Sequence, residues 1–558
     1  MKKAISAALL IAMCITGCAS SPPAPSPTFH PTATIAPRPA PQTSTPVPPT
    51  PTPASLRVWH DPAVPIAVRD QVMAALSGLD AVPAPSAEQS DLRIGLELPI
   101  ELARWVYAIA APFPTVTDEV KWDDVLRFWA GEPGALSQIS EDGTSPTLFV
   151  TPETLGMLHG LLGASSAKCP LAIAEPDRLV DEAWTARPRA WAIVPFDELE
   201  PRWKVLRVNG ASVLDKGLDV QQYALTVSIG AEGDGADALV STLSGQGLLT
   251  NRAPEHMTVL MMTGVTALVR GIAHRMEEKG ILYPAQRIGS LLRAADVLHI
   301  SNEISFSEGC PTPDPRTESL TFCSNPRYID LLRAVDPDVI ELTGNHVKDY
   351  GSQPMLDTLA MYCDEGWIYY GGGTDVEDAR LPIIVKRNGT TFGFIGCNPV
   401  GPQYAWATAE HPGAAPCDYE YVRSELAKLK EQTDVPIATV QYWEFYQYEP
   451  SAQQRSDFRD LVEAGAAIVS GSQAHHPQAI EFYNGAFIHY GLGNLFFDQY
   501  DVSPATRQAF IDRHIFYDGR HISTELLPII FIDYARPRPM TPQEQQDLLH
   551  AVFSASGW

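Results

Sequence analysis

Eight cysteines punctuate the 558 residues, and their surroundings point to different chemistries. Cys18 closes the run Ile15-Thr16-Gly17-Cys18, behind Lys2, Lys3 and an apolar stretch through Ala12 and Met13 that also contains Cys14. A charged start, a short apolar segment and small residues at the cleavage site describe a signal peptide, because the apolar run is too short to span a bilayer. A lipobox of this form makes Cys18 the lipidated first residue of the mature chain. The plainer alternative is an incidental cysteine beside an ordinary signal. Export permits disulfides. Cys310 and Cys323 bracket one Pro-rich loop and Cys397 and Cys417 another, and neither pair has zinc-ligand spacing. Bonding each cysteine to its loop-mate is the simplest arrangement, with free buried thiols as the alternative. Cys169 and Cys363 are left over.

The elements that must carry these groups begin only after residue 55. Ser21 to Ser55 is dominated by Pro, Ser, Thr and Ala without one acidic residue, and cannot bury a core. It predicts either an extended stalk reaching roughly 100 Å at about 3.1 Å per residue, or a spacer of no particular reach. The remaining chain, 45% hydrophobic overall, is long enough for two packed cores. The expected division is a signal peptide at 1–17, a lipidated Cys and Pro/Ser/Thr-rich linker at 18–55, an α/β domain at 56–250 and a second α/β domain at 257–558. Short apolar runs at 56–59 and 92–96 alternate with a helical stretch from Ala67 to Leu79. Further on, MTVLMMTG and VLHIS predict strands, RGIAHRMEEKG and AQRIGSLLRAAD helices, and YIDLLRAVDPDVIELTG a helix and a strand. Asn388-Gly389 between two apolar runs predicts a hairpin. The formal net charge of −26 argues against nucleic acid as a partner and against unaided binding of a polyanion.

Two stretches of the first domain, VYAIAAPFPTVTDEVKWDDVLRFWAGE and AWAIVPFDELEPRWKVLRVNG, resemble periplasmic solute-binding proteins of the phosphate-binding type. An unrelated α/β accessory domain is the alternative. The second domain carries a more specific resemblance. VIELTGNHVKDYG, then YYGGGTDVEDARLP, then the block from QYWEFYQYEP to HYGLGNLFFD resemble, in order, the landmarks of the CapA/PgsA family of capsule and poly-gamma-glutamate synthesis proteins, over Thr258 to Asp498. That resemblance implies a metallophosphatase-like αββα sandwich, in which loops at strand ends gather ligands for two divalent metals, and such ions require anionic and imidazole ligands.

Compared position by position, the family's set is incomplete here. The Asp expected after Gly264 is Val265, and the two expected His are Gln441 and Gln473. Glu303, Asn345 and His475 remain as metal ligands, with His346 as the acid and Asp349 orienting its loop. This set could hold at most one divalent ion (Mn, Fe or Zn), with Gln441 and Gln473 offering carbonyl oxygens. Alternatively, Asn345, His346 and Asp349 shape one tight turn and Gly471 to Pro477 another, with no metal. His476 reads as a structural histidine.

Three functions compete. One is a CapA-type lipoprotein of the cell surface or periplasm, anchored in the membrane by its lipid, which works by binding an extracellular anionic polymer or capsule machinery. The second is a one-metal phosphoesterase, and the third a solute receptor built on the first domain.

Overall fold

The computed structural model describes residues 55–558 except 79, 244–246 and 317–318. The signal, the linker and Cys18 lie outside the described residues. Residues 55–558 form one compact unit.

In its C-terminal half, period-two patterning sorts side chains between layers. Along the wholly buried strand Met257–Thr266, Leu260 and Met262 join one core while Val259 and Met261 join another. Val297 and Leu298, Val339 and Ile340, Ile437 and Ala438, and Ile468 and Val469 divide in the same way. Successive side chains of a strand point to opposite faces, so strands apolar on both faces must be covered twice. One sheet runs Ile368–Tyr370, Val339–Glu341, Val297–Asn302, Met257–Thr266, Gln508–Tyr517, Arg520–Ile532, Arg536–Pro539, and Asn494–Phe496 pairs with Met257–Thr266 beside this path. A second runs Ile383–Arg387, Thr390–Cys397, Val435–Gln441, Ile468–Ser472, Ala486–His489, Ile480–Tyr483.

Between the sheets Phe392 meets Phe516 edge-on, with ring centres 5.0 Å apart. Helices Ile329–Val335 and Ser352–Glu365 cover the first sheet through Leu331, Leu332, Met355 and Leu359. Helices Tyr419–Gln432 and Ala452–Glu463 cover the second through Leu426, Leu429, Phe458 and Leu461. The result is an αββα sandwich. The central strands of each sheet run parallel, so their carboxyl ends open on a common edge, where ligands of such sheets bind.

The hairpin at Asn388-Gly389 forms with φ of 46° and 85°, a two-residue turn in which both residues are left-handed. Both disulfides are present, Cys310–Cys323 and Cys397–Cys417. One expectation fails. AQRIGSLLRAAD is not a continuous helix but two short turns, Pro284–Gln286 and Gly289–Leu292, interrupted at Ile288 with φ −122°. Its apolar residues Ala285, Ile288 and Leu292 are still buried. Gly289 lowers the helical propensity of a segment already too short to nucleate well.

The N-terminal half is an 11-stranded mixed sheet organised around Ile100–Pro112. The first part of this strand pairs with Thr226–Gly233, and its later part with Ala190–Pro195 and Trp203–Val208. Trp191, Trp203, Phe128 and Phe196 fill its core. Met257, Ile515, Tyr517 and Ile522 of the C-terminal half belong to that same core. Where the halves join, Asn251 accepts the Val106 N–H at 2.8 Å and donates to its carbonyl at 3.0 Å.

Candidate functional site

Four strand ends, two from each sheet of the sandwich, build the site. Glu303 follows Val297–Asn302, Asn345 and His346 lie in the loop after Val339–Glu341, Gln441 ends its strand, and Gln473 follows Ile468–Ser472. Gly344 allows the second loop to press on the first, since a Cβ there would sit 2.5 Å from Glu303 Cα. Gln473 and His475 take left-handed backbone at φ 76° and 49°, as does Arg270 at φ 42°. Such conformations cost on the order of 1–3 kcal/mol each in non-glycine residues and concentrate at functional sites.

At the centre lies the side-chain amide of Gln441. Its Nε2 donates towards Glu303 Oε1 at 3.3 Å, Asn345 Oδ1 at 3.1 Å and Gln473 Oε1, while its Oε1 accepts from Ser472 Oγ at 2.7 Å. An NH2 group has two protons, so three acceptors share them. The sequence reading had Gln441 offer its carbonyl oxygen to a metal. In the structure it presents its nitrogen to the other three oxygens instead, because those are acceptors and a fourth oxygen among them would only repel.

Glu303 is buried, at 2% exposure, and its Oε2 has no hydrogen-bond partner among the described residues. Burial pushes its carboxyl up to about 7; the His346 charge, the Gln441 bond and Arg270 act against this, and Glu444 adds to it. His475 shares its Nδ1 proton with Asn494 Oδ1 at 2.8 Å, which leaves Nε2 as the lone-pair nitrogen of a neutral ring. Burial holds that ring down at about 3.

His346 behaves differently. Burial lowers it, but the 2.7 Å bond to Asp349 and the nearby Glu303 outweigh burial and leave it raised. Asp349 also accepts the Phe322 N–H at 2.8 Å and the Tyr404 hydroxyl at 2.9 Å, so three segments are tied through one carboxylate. His476 turns elsewhere, bonding the Pro477 carbonyl at 2.6 Å with its ring edge-on to Tyr448. Val265 packs with Phe322 and Phe497 in a small apolar cluster. Those two rings lie against His346 and His475 respectively.

The sequence reading passed over Arg270, Glu444, Asn494 and Asp498. Arg270 stands at the first position of helix Arg270–Lys279. A cation there opposes the helix dipole, which is a legible sign that something other than helix stability keeps it. Asn494 sits inside the quoted block, and its role of orienting His475 depends on a contact 19 residues away.

Two divalent ions need several anionic or imidazole donors. Here one carboxylate and one imidazole stand among three amides, and an N–H donor points to where the other oxygens converge. The residues do not fit a two-metal centre. Among the described residues no group of three or more His, Cys, Asp or Glu is placed to hold a metal ion.

Residues 259–499 match the family described as bacterial capsule synthesis protein PGA_cap. The chain is 29% identical over 226 residues to the PGA biosynthesis protein CapA of Bacillus subtilis, covering 40% of this chain and 59% of that protein. It is 27% identical over 207 residues to the capsule biosynthesis protein CapA of Bacillus anthracis, covering 36% and 50%. It is over residues 259–499 that the chain is similar to the CapA/PgsA family. The chain spans between half and about 60% of the length of these two relatives. Among solved structures, a phosphatase from Mycoplasma pneumoniae aligns at 9% identity and TM-score 0.33 over 49% of this chain and 94% of its own. A phosphate transport receptor from Vibrio cholerae aligns at 10% and 0.30 over 35% and 96%. Among the described residues no helix is long and apolar enough to cross a membrane.

Proposed function

We propose that this chain is a CapA-type protein of the cell envelope that takes part in making, retaining or exporting a capsule or poly-gamma-glutamate polymer, and that its site works by binding rather than by metal-dependent catalysis. The observation that carries this reading is the Gln441 amide, whose N–H groups face the oxygens of Glu303, Asn345 and Gln473. That network is a hydrogen-bonded platform of three amides around one carboxyl group. His346 and Asp349, which the family resemblance casts as acid and orienting group, then serve to hold and present a ligand group.

Metal analysis of the purified protein is the test. The expected result is Mn, Fe and Zn far below stoichiometric. Stoichiometric metal that disappears in His475→Ala would instead establish the one-metal site on Glu303, Asn345 and His475.

The proposal includes the division into a solute-binding-like domain at 56–250 and a CapA-like domain at 257–558, the signal peptide at 1–17 and the linker at 18–55. It also includes lipidation at Cys18, with the protein held on the cell surface or in the periplasm. Cys18→Ser should move the protein from the membrane fraction to the soluble one, and continued membrane association would exclude the anchor.

A further inference from the structure

With a formal net charge of −26, the molecule repels an acidic polymer at long range, so any anionic ligand group must meet a local cation. The site contains one that its metal-ligand pattern does not explain. Arg270 Nε donates to Asp498 Oδ1 at 3.1 Å and Nη2 to the Asp498 carbonyl at 2.7 Å. The other Asp498 oxygen accepts the Gly271 N–H at 2.5 Å. One edge of the guanidinium is thereby fastened, while Nη1 makes no hydrogen bond among the described residues.

The guanidinium lies between two aromatic rings, 5.1 Å from the centre of Phe322 and 4.9 Å from that of Phe497. Stacking fixes its plane, and a fixed guanidinium loses little entropy when its free edge engages a planar carboxylate. Its left-handed backbone, φ 42°, is a further cost borne at this position. The ionisable groups facing it are Asp498, Glu303, His346, His475 and Glu444.

Resting on the binding function proposed above, we infer that Arg270 forms the subsite that takes an oxyanion of the ligand, a carboxylate in an acidic polymer. Removing the cation must then weaken anion binding.

The test is calorimetric titration of the full chain with glutamate oligomers and, separately, with inorganic phosphate, for wild type, Arg270→Met and Arg270→Lys. A lost charge-assisted bond predicts about tenfold or greater weakening in Arg270→Met, partly restored in Arg270→Lys, which keeps the charge but not the planar edge.

Equal binding by folded Arg270→Met and wild type overturns the subsite. A wild type that binds phosphate through Arg270 but no glutamate oligomer supports the subsite while refuting the polymer reading. A wild type that binds neither refutes both.

Discussion

At Gln441 the orientation of one amide decides the chemistry available. A histidine there would bring a lone pair to the oxygens of Glu303 and Asn345 only with a cation between them, whereas the glutamine joins them directly through its own N–H groups. Restoring Val265→Asp, Gln441→His and Gln473→His together would remove the internal donor and supply one carboxylate and two imidazoles beside Glu303 and His475. We expect this triple variant to bind Mn or Zn at least tenfold more tightly than wild type in a calorimetric titration, since charge and donor type set divalent affinity. A folded triple variant with wild-type metal affinity would show that these three positions do not converge on one ion. Motif order was enough to bring Glu303, Asn345, Gln441 and Gln473 together from the sequence. It could not show which end of Gln441 faces inward, because its neighbours on three other loops decide that. Arg270 and Glu444 were missed for a related reason: each is an ordinary charged residue in its own segment and becomes part of a site only by folding.

At the scale of strands and helices, the sequence was most legible where apolar patterning was strong. Met257–Thr266, Val297–Asn302 and the Asn388-Gly389 hairpin all appear where alternation and turn chemistry put them. The segment from Ala285 to Leu292 kept its helical periodicity without forming one helix, because burial of three side chains can be met by two broken turns. Periodicity also failed to reveal a feature of the inter-sheet core, the polar groups it buries. His299, 1% exposed, bonds the Tyr370 hydroxyl at 2.8 Å, and Tyr370 in turn meets Thr439 at 2.9 Å. Burial holds both His299 and His475 neutral, with pKa values about 3. Their folded values lie below the ordinary 6.5, so the unfolded chain binds protons that the folded one refuses. Stability from this source is complete above about pH 6.5 and is lost as pH falls towards 3, by about 1.4 kcal/mol per unit for each such histidine where only the unfolded state is charged. Glu303 and Asp498, raised to about 7 and about 6, act in the opposite sense at higher pH, taking stability away as they ionise. Those two carboxyls are common to wild type and to a histidine variant, so the difference between the two proteins isolates the histidine effect. His299→Gln, which can still reach Tyr370 but cannot titrate, should lose less stability than wild type between pH 6 and pH 4 in urea unfolding. Parallel losses in the two proteins would refute this account.

Over the whole molecule, the two sheet systems are joined by more than the chain running between them. Ile515 is a strand residue of the C-terminal sandwich, paired with Val259 and Ser523, yet its side chain lies fully buried in the core of the N-terminal half. Tyr517, two residues on and therefore on the same face, stacks edge-on against Phe196 at 5.1 Å and accepts the Ala253 N–H at 3.0 Å. Lys216 pairs with Asp296 at 2.6 Å, and Arg520 donates to the Leu199 carbonyl at 2.6 Å. The half-buried charge pair adds little next to the shared core. The shared core adds more, because neither half can lose it without exposing apolar surface on the other. The described part of the chain should accordingly unfold in one calorimetric transition, and Ile515→Ala should shift that whole transition downward, at a cost of about 2–5 kcal/mol for truncating a fully buried isoleucine. Two resolved transitions in the wild type, or a variant in which only one part moves, would mean that the halves fold independently and that Ile515 serves one of them alone.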